Sequence, residues 1–103
     1  MRTNVREALD ALFDGRDCRK SHSVYTEQDG ARCPECSANH PTTFSYGRHF
    51  PLVILTGVSA LVNTTKYSAT TSTQQSGARE YLTRQGFRPN GNTVENYAVW
   101  TKD

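Results

Sequence analysis

At 103 residues the chain has the size of one domain and is too short for two, and folding would hide only about 60–70% of the surface that the unfolded form exposes, so a metal staple or an oligomer contact would weigh on its stability. Hydrophobic residues make up 35% of it and the mean hydropathy is -0.70, yet four Phe, five Tyr and one Trp are more aromatics than a disordered chain carries. Twelve Lys and Arg against ten Asp and Glu leave a formal charge of +2, a balance that neither requires nor excludes a polyanionic partner.

Asn4 stands where a helix N-cap is expected, with Glu7 three residues on in capping-box position. Val5, Ala8, Leu9, Leu12 and Phe13 recur at the spacing of one helical stripe, which predicts a helix of about three turns ended by Gly15 at C′. Val24 and Tyr25 among polar neighbours predict a short strand within 21–27, and Gln28-Asp29-Gly30 a turn. Residues 31–43, rich in Cys, Pro, Ser and Asn, read as a loop. A strand at 44–46 closed by Gly47 follows, then two β-branched runs, 52–55 and 58–62, that form a hairpin through the core; Pro51 marks a strand start or an edge. The hydroxyl-rich tract 64–73 reads as a polar strand end around Lys66 and Tyr67, then a cap at Thr71 or Ser72 for a helix over 73–85. That helix turns Ala78, Tyr81 and Leu82 inward, loses about 1 kcal/mol of propensity at Gly77 and ends at Gly86. Residues 89–92 read as a turn and 93–101 as a last strand. Together these elements predict one α+β domain over 1–103: an antiparallel sheet of about four to five strands packed with two helices, and a Cys/His loop inserted at 17–41.

The sharpest chemical signal is Cys18-x3-His22 followed by Cys33-Pro34-Glu35-Cys36-x3-His40, five nitrogen or sulfur donors within 23 residues and every cysteine of the chain. Tetrahedral zinc takes four such donors, and a C-x2-C turn aims two sulfurs at one ion, with Pro34 pre-setting the turn. The expected structural zinc set is Cys18, Cys33, Cys36 and one histidine, His40 and His22 being close to equal. Three unligated thiols are the plainer alternative. A redox dithiol at Cys33 and Cys36 lacks the strand-then-helix setting such pairs need. A deaminase-type catalytic zinc lacks its H-x-E. Cys18 and His22 could be imagined as nucleophile and base, but nothing in the sequence orients the histidine. His49 reads as a structural histidine.

Elsewhere, hydroxyls beside a helix N-terminus can hold an anion, with Lys66 and Arg79 adding charge; plain capping explains the same residues. Tyr46, Tyr67, Tyr81 and Trp100 read as core in preference to a binding face. The basic residues are scattered, and the small group Arg16, Arg19, Lys20 is interrupted by Asp17 and flanked by Asp14. The start of the chain is amphipathic, unlike a secretory leader, and the apolar run 50–62 is broken by Pro51, Thr56, Gly57 and Ser59. With the odd cysteine count, these features lead to the expectation of a cytoplasmic protein without a membrane segment.

Phe44-Ser45-Tyr46-Gly47, with the run from Asn63 to Ser72 that contains Lys66-Tyr67-Ser68-Ala69-Thr70-Thr71-Ser72, resembles a family of small uncharacterised proteins from phages and their hosts, with an SYG…KYSxTTS pattern after a short N-terminal helix. The resemblance covers most of residues 4–85. It departs in two places: Gln74 stands where the family carries a histidine, and the cysteine-bearing loop is inserted between the Asp-Gly turn and the Ser-Tyr strand. The zinc knuckle therefore reads as a local elaboration. The resemblance implies a viral or mobile-element origin and a compact α+β fold, and no activity. Its motif marks Tyr46, Lys66, Tyr67, Ser68, Thr70, Thr71 and Ser72 as candidate ligand- or partner-binding residues.

The resulting expectation is a non-catalytic accessory protein, acting in the cytoplasm of an infected cell on a host macromolecule such as a defence or regulatory factor. A host protein is preferred over nucleic acid as partner, and a homodimer could form through an exposed strand edge. One alternative is a zinc-stapled nucleic-acid-binding regulator using Arg16, Arg19, Lys20 and Arg32. Another is a small-ligand or nucleotide binder using the Thr/Ser tract.

Overall fold

The computed structural model describes residues 3–19, 23–48, 50–66 and 68–102. In chain order the elements are α1 (Thr3–Asp14), β1 (Val24–Glu27), β2 (Thr42–Ser45), β3 (Pro51–Leu55), β4 (Ser59–Asn63), α2 (Ala69–Arg84), β5 (Phe87–Val94) and β6 (Tyr97–Lys102). The strands form one antiparallel six-stranded sheet in the order β1-β2-β3-β4-β6-β5. The α2 crossover carries the chain from β4 past the position of β6 to the far edge, and β6 then returns into the gap.

Alternate residues of a strand face opposite sides, so the register sorts the core into two layers. On one side Val53 pairs with Val62 and Ala60 with Trp100, and these pack against Val5, Ala8, Leu9 and Leu12 of α1 and Ala78, Tyr81 and Leu82 of α2. On the other side Ile54 pairs with Leu61 and Leu61 with Val99. No helix among the described residues covers that face. Instead the β1–β2 loop lies over it and contributes Cys33 and Ala31 to a second cluster with Ile54, Leu61, Tyr97 and Val99. With a cover on both faces, β2 and most of β3 and β4 are buried at successive positions, the pattern of a sheet enclosed on two sides.

Several expectations about elements are corrected. The sheet has six strands because 89–92 is a bulge and not a turn: Gly91 takes φ +85, Asn92 N–H bonds Asn90 Oδ1 at 2.9 Å, and the register against β6 shifts between Pro89 and Thr93. The chain reverses later, at Glu95 and Asn96, so the expected last strand is a hairpin of two. Helix α2 begins at Ala69, four residues before the expected start, because Ser68 is the N-cap and accepts the Thr71 N–H at 3.1 Å; Thr71 and Ser72 lie in the first turn. β4 ends at Asn63, so Lys66 lies in a loop, and Tyr67 is outside the described residues. Helix α1 opens at Thr3, one residue before the cap expected at Asn4, and Gly15 follows it at φ +75. No helix among the described residues is long and apolar enough to cross a membrane.

Both sheet edges are interrupted. Residue 18 bridges Thr26 on the outside of β1, while β5 carries Pro89 and the bulge, two devices that blunt strand addition.

Candidate metal centre

The loop from Gln28 to Pro41 has its own frame. Gly30 packs against its far end so closely that a Cβ there would lie 2.3 Å from the His40 carbonyl oxygen and 2.4 Å from Thr42 Oγ1. Thr42 Oγ1 accepts the Ala31 N–H and donates to His40 O, both at 2.9 Å. Arg32 bridges Asn39, and the His40 N–H bonds Ala31 O at 3.1 Å, which makes 31–40 a small hairpin. At its tip Cys33 N–H bonds Ala38 O at 2.8 Å and Ser37 N–H bonds Cys33 O at 2.9 Å, with Ser37 at φ +63. From the side, the Arg48 guanidinium lies over the Phe44 ring, pairs with Glu27 and donates to the carbonyls of Asp29 and Gly30.

This frame brings three of the expected ligands together. The Sγ atoms of Cys33 and Cys36 and a ring nitrogen of His40 all lie within 4.8 Å of one another, and Cys36 Sγ and His40 Nε2 are 3.0 Å apart. A tetrahedral zinc ion, with bonds of about 2.3 Å to sulfur and 2.0–2.1 Å to nitrogen, would hold such atoms about 3.5–3.8 Å apart. The observed separations fall around that range, so small side-chain adjustments let all three reach one ion. Cys33 is buried in the second core cluster, Cys36 is exposed and His40 is half-buried.

Cys18 does not join them. It exchanges backbone hydrogen bonds of 2.9 Å with Thr26, and Thr26 Oγ1 donates to the Ala8 carbonyl of α1. Partners across an antiparallel bridge share a face, so Cys18 belongs to the helix side of the sheet and Cys33 to the loop side. The sheet separates them, and the expectation of Cys18 as a ligand is corrected on that ground. His22 and His49 are outside the described residues.

Two neighbours of the cluster escape a sequence reading. Tyr97 and Glu95, more than 50 positions beyond the cysteines, come to it on the β5–β6 turn. Burial, then the charges of Glu95 and Cys33, push the Tyr97 phenol above its ordinary pKa. Glu95 holds the turn at φ +52. With Arg32, Pro34, Ser37 and Asn96 they line a cleft of about 410 Å³ beside Cys33. No local pattern signals this meeting, because it depends on where the hairpin reverses.

The Thr/Ser tract is placed differently from the metal cluster. Ser68 caps α2 and its hydroxyl also bonds Thr71 Oγ1 at 3.1 Å; Thr71 is buried, Thr70 half-buried, and Ser72 and Lys66 are exposed. Tyr46 is exposed at φ +59, with its N–H on Ser23 O at 3.0 Å. The two halves of the SYG…TTS pattern meet in the core, where the Ser45 hydroxyl donates to Gln74 Oε1. Gln75, also buried, donates to Asn63 O and Thr65 O at 2.7 and 2.9 Å. Tyr81 and Trp100 lie in the first core cluster. No family model matches the chain, and no curated protein or solved structure shows a match to it.

Proposed function

We propose that the protein is a small non-catalytic binding protein of the phage type, whose Cys33–His40 turn is stapled by one structural zinc ion and displayed to a host macromolecule, a protein in preference to a nucleic acid. The observation that carries the zinc reading is the convergence of Cys33, Cys36 and His40 on a loop that already covers the second face of the sheet. Two thiolates and an imidazole are a donor set that suits zinc, and an ion there would tie the exposed tip of the loop to its buried corner. Residues 35–39 of that tip all face solvent, which makes them available to a partner.

The charge arrangement supports a protein partner. Arg16 pairs with Asp14, Arg19 and Arg48 with Glu27, and Arg84 with Glu80, so much of the positive charge is answered locally and not gathered in a stripe that would track phosphates. The phage origin and the host-side location rest on the SYG…TTS motif.

Elemental analysis of untagged protein purified without chelator tests the staple: about one zinc per chain is expected, lost in Cys33→Ser together with thermal stability. Metal-free protein would end the zinc reading. A mobility-shift assay on mixed DNA and RNA at two salt concentrations tests the partner class. No shift at low salt is the expected result, and a shift that weakens steeply with salt would favour a nucleic-acid regulator.

A further inference from the structure

A zinc ion held by Cys33, Cys36 and His40, the premise carried over from the proposed function, has a fourth position to fill. Zinc in a protein commonly takes four donors, and where the chain supplies three, one position is left for an external ligand. Among the described residues no fourth His, Cys, Asp or Glu joins Cys33, Cys36 and His40. Glu27 is held by Arg19 and Arg48, Asp29 Oδ1 accepts the Asn39 amide at 3.2 Å, and Glu35 in the turn and Glu95 in the cleft beside Cys33 are not grouped with the three donors. Cys18 is on the other side of the sheet.

The surroundings suit an incoming ligand. One thiolate is buried and the other exposed, so an ion between them lies at the protein surface. The cleft of about 410 Å³ beside Cys33 is within the size range of small-molecule sites, and Arg32 lines it. Two thiolates and a neutral imidazole balance the charge of Zn²⁺, and the cleft sets one cation, Arg32, against one acid, Glu95, so a third soft anion binds without building up a large excess of negative charge.

We infer that the fourth position is open and takes an external thiolate. The thiol gives its proton to solvent as its sulfur replaces water on the ion, and no electron is transferred. Its source is a free small thiol or a cysteine side chain, including one from a second copy of the chain.

Cobalt(II) in place of zinc reads the donor set directly. The full chain is loaded with cobalt in a phosphine reductant, free of thiols, and its spectrum and native mass are recorded before and after addition of 2-mercaptoethanol. A tetrahedral visible spectrum is expected, with a sulfur-to-cobalt band that rises by about half on adding the thiol, the step from two cobalt–sulfur bonds to three. His22→Ala should give the same spectrum and the same response. A dimer that carries the third sulfur before any thiol is added would identify the second copy as the source. A spectrum unmoved by thiol in a monomer overturns the open position, and a change in it on His22→Ala would name the internal ligand while the metal site stands. Absence of any sulfur-to-cobalt band in the wild type would overturn the metal site itself.

Discussion

Gly30→Ala should break the frame of the loop and, with it, the grouping of Cys33, Cys36 and His40. The added methyl would lie 2.3 Å from the His40 carbonyl oxygen and 2.4 Å from Thr42 Oγ1, where ordinary contacts begin at 3.4 Å. The near atom is backbone, so His40 must retreat by roughly 1 Å, an overpacking that typically costs about 1–3 kcal/mol. The two hydrogen bonds that Thr42 makes to Ala31 and His40 are strained at the same time, at about 0.5–1.5 kcal/mol each if lost. A total of about 2–6 kcal/mol lowers the melting temperature by at least about 8 °C in a domain of this size. Because His40 moves relative to the two cysteines, the proposed zinc content per chain should fall as well. Gly57→Ala is the control: it stands at φ +90 with nothing within 4 Å, so it adds left-handed strain of about 1–2 kcal/mol and leaves metal content unchanged. Thermal melts and elemental analysis of both variants decide the matter. A Gly30→Ala protein with the wild-type melting temperature and full metal content would refute the close-packing argument.

Chelation should lower the melting temperature of the wild type and leave Cys36→Ser unchanged; zinc at 100 times its dissociation constant contributes about 2.7 kcal/mol, and equal responses of the two proteins would count against the site. Tyr97 is held protonated in the fold by burial and by the charges of Glu95 and Cys33. Its raised pKa makes its contribution to stability full below the unfolded value of about pH 10 and lost as pH rises from there through the folded value, so Tyr97→Phe should flatten the alkaline limb of the stability curve. Tyr81, raised mainly by burial and by its bond to Asp10, retains its own share of that limb in the variant. Gln75→Ala should destabilise by about 1–3 kcal/mol in chemical denaturation, because the carbonyls of Asn63 and Thr65 lose their donor; a neutral result would show that water reaches them.

Much of the fold can be read locally. The α1 stripe, the Gly15 and Gly86 helix ends and the β3–β4 hairpin each rest on periodicity or on a residue that needs a positive φ, and these are short-range effects. The misreadings have the same short range. Pro-Asn-Gly-Asn has turn chemistry, yet pairing with β6 on both sides holds it inside β5, and the reversal falls at Glu95 instead. Any of several hydroxyls in 64–73 could cap a helix. Ser68 does so because starting α2 there seats Gln74 against Ser45 and Gln75 against the end of β4.

For the donor cluster, the spacing marked Cys33 and Cys36 as a pair but left His40 and His22 level; eight residues and one tight hairpin bring His40 to the two cysteines. The role of Cys18 was not decidable from spacing, because proximity in the chain carries no information about which face of a sheet a residue lands on. That depends on the bridge to Thr26 and on the way α1 packs over it. The Tyr97 and Glu95 wall of the cleft likewise comes from the β5–β6 register. The α+β elements and the Cys33–Cys36 pair were legible in the chain, because both follow from interactions within a few residues. The sixth strand, the side of the sheet on which each cysteine lies, the choice of His40 and the residues that face the three donors came only with the fold, because these are set by pairings beyond the reach of spacing along the chain.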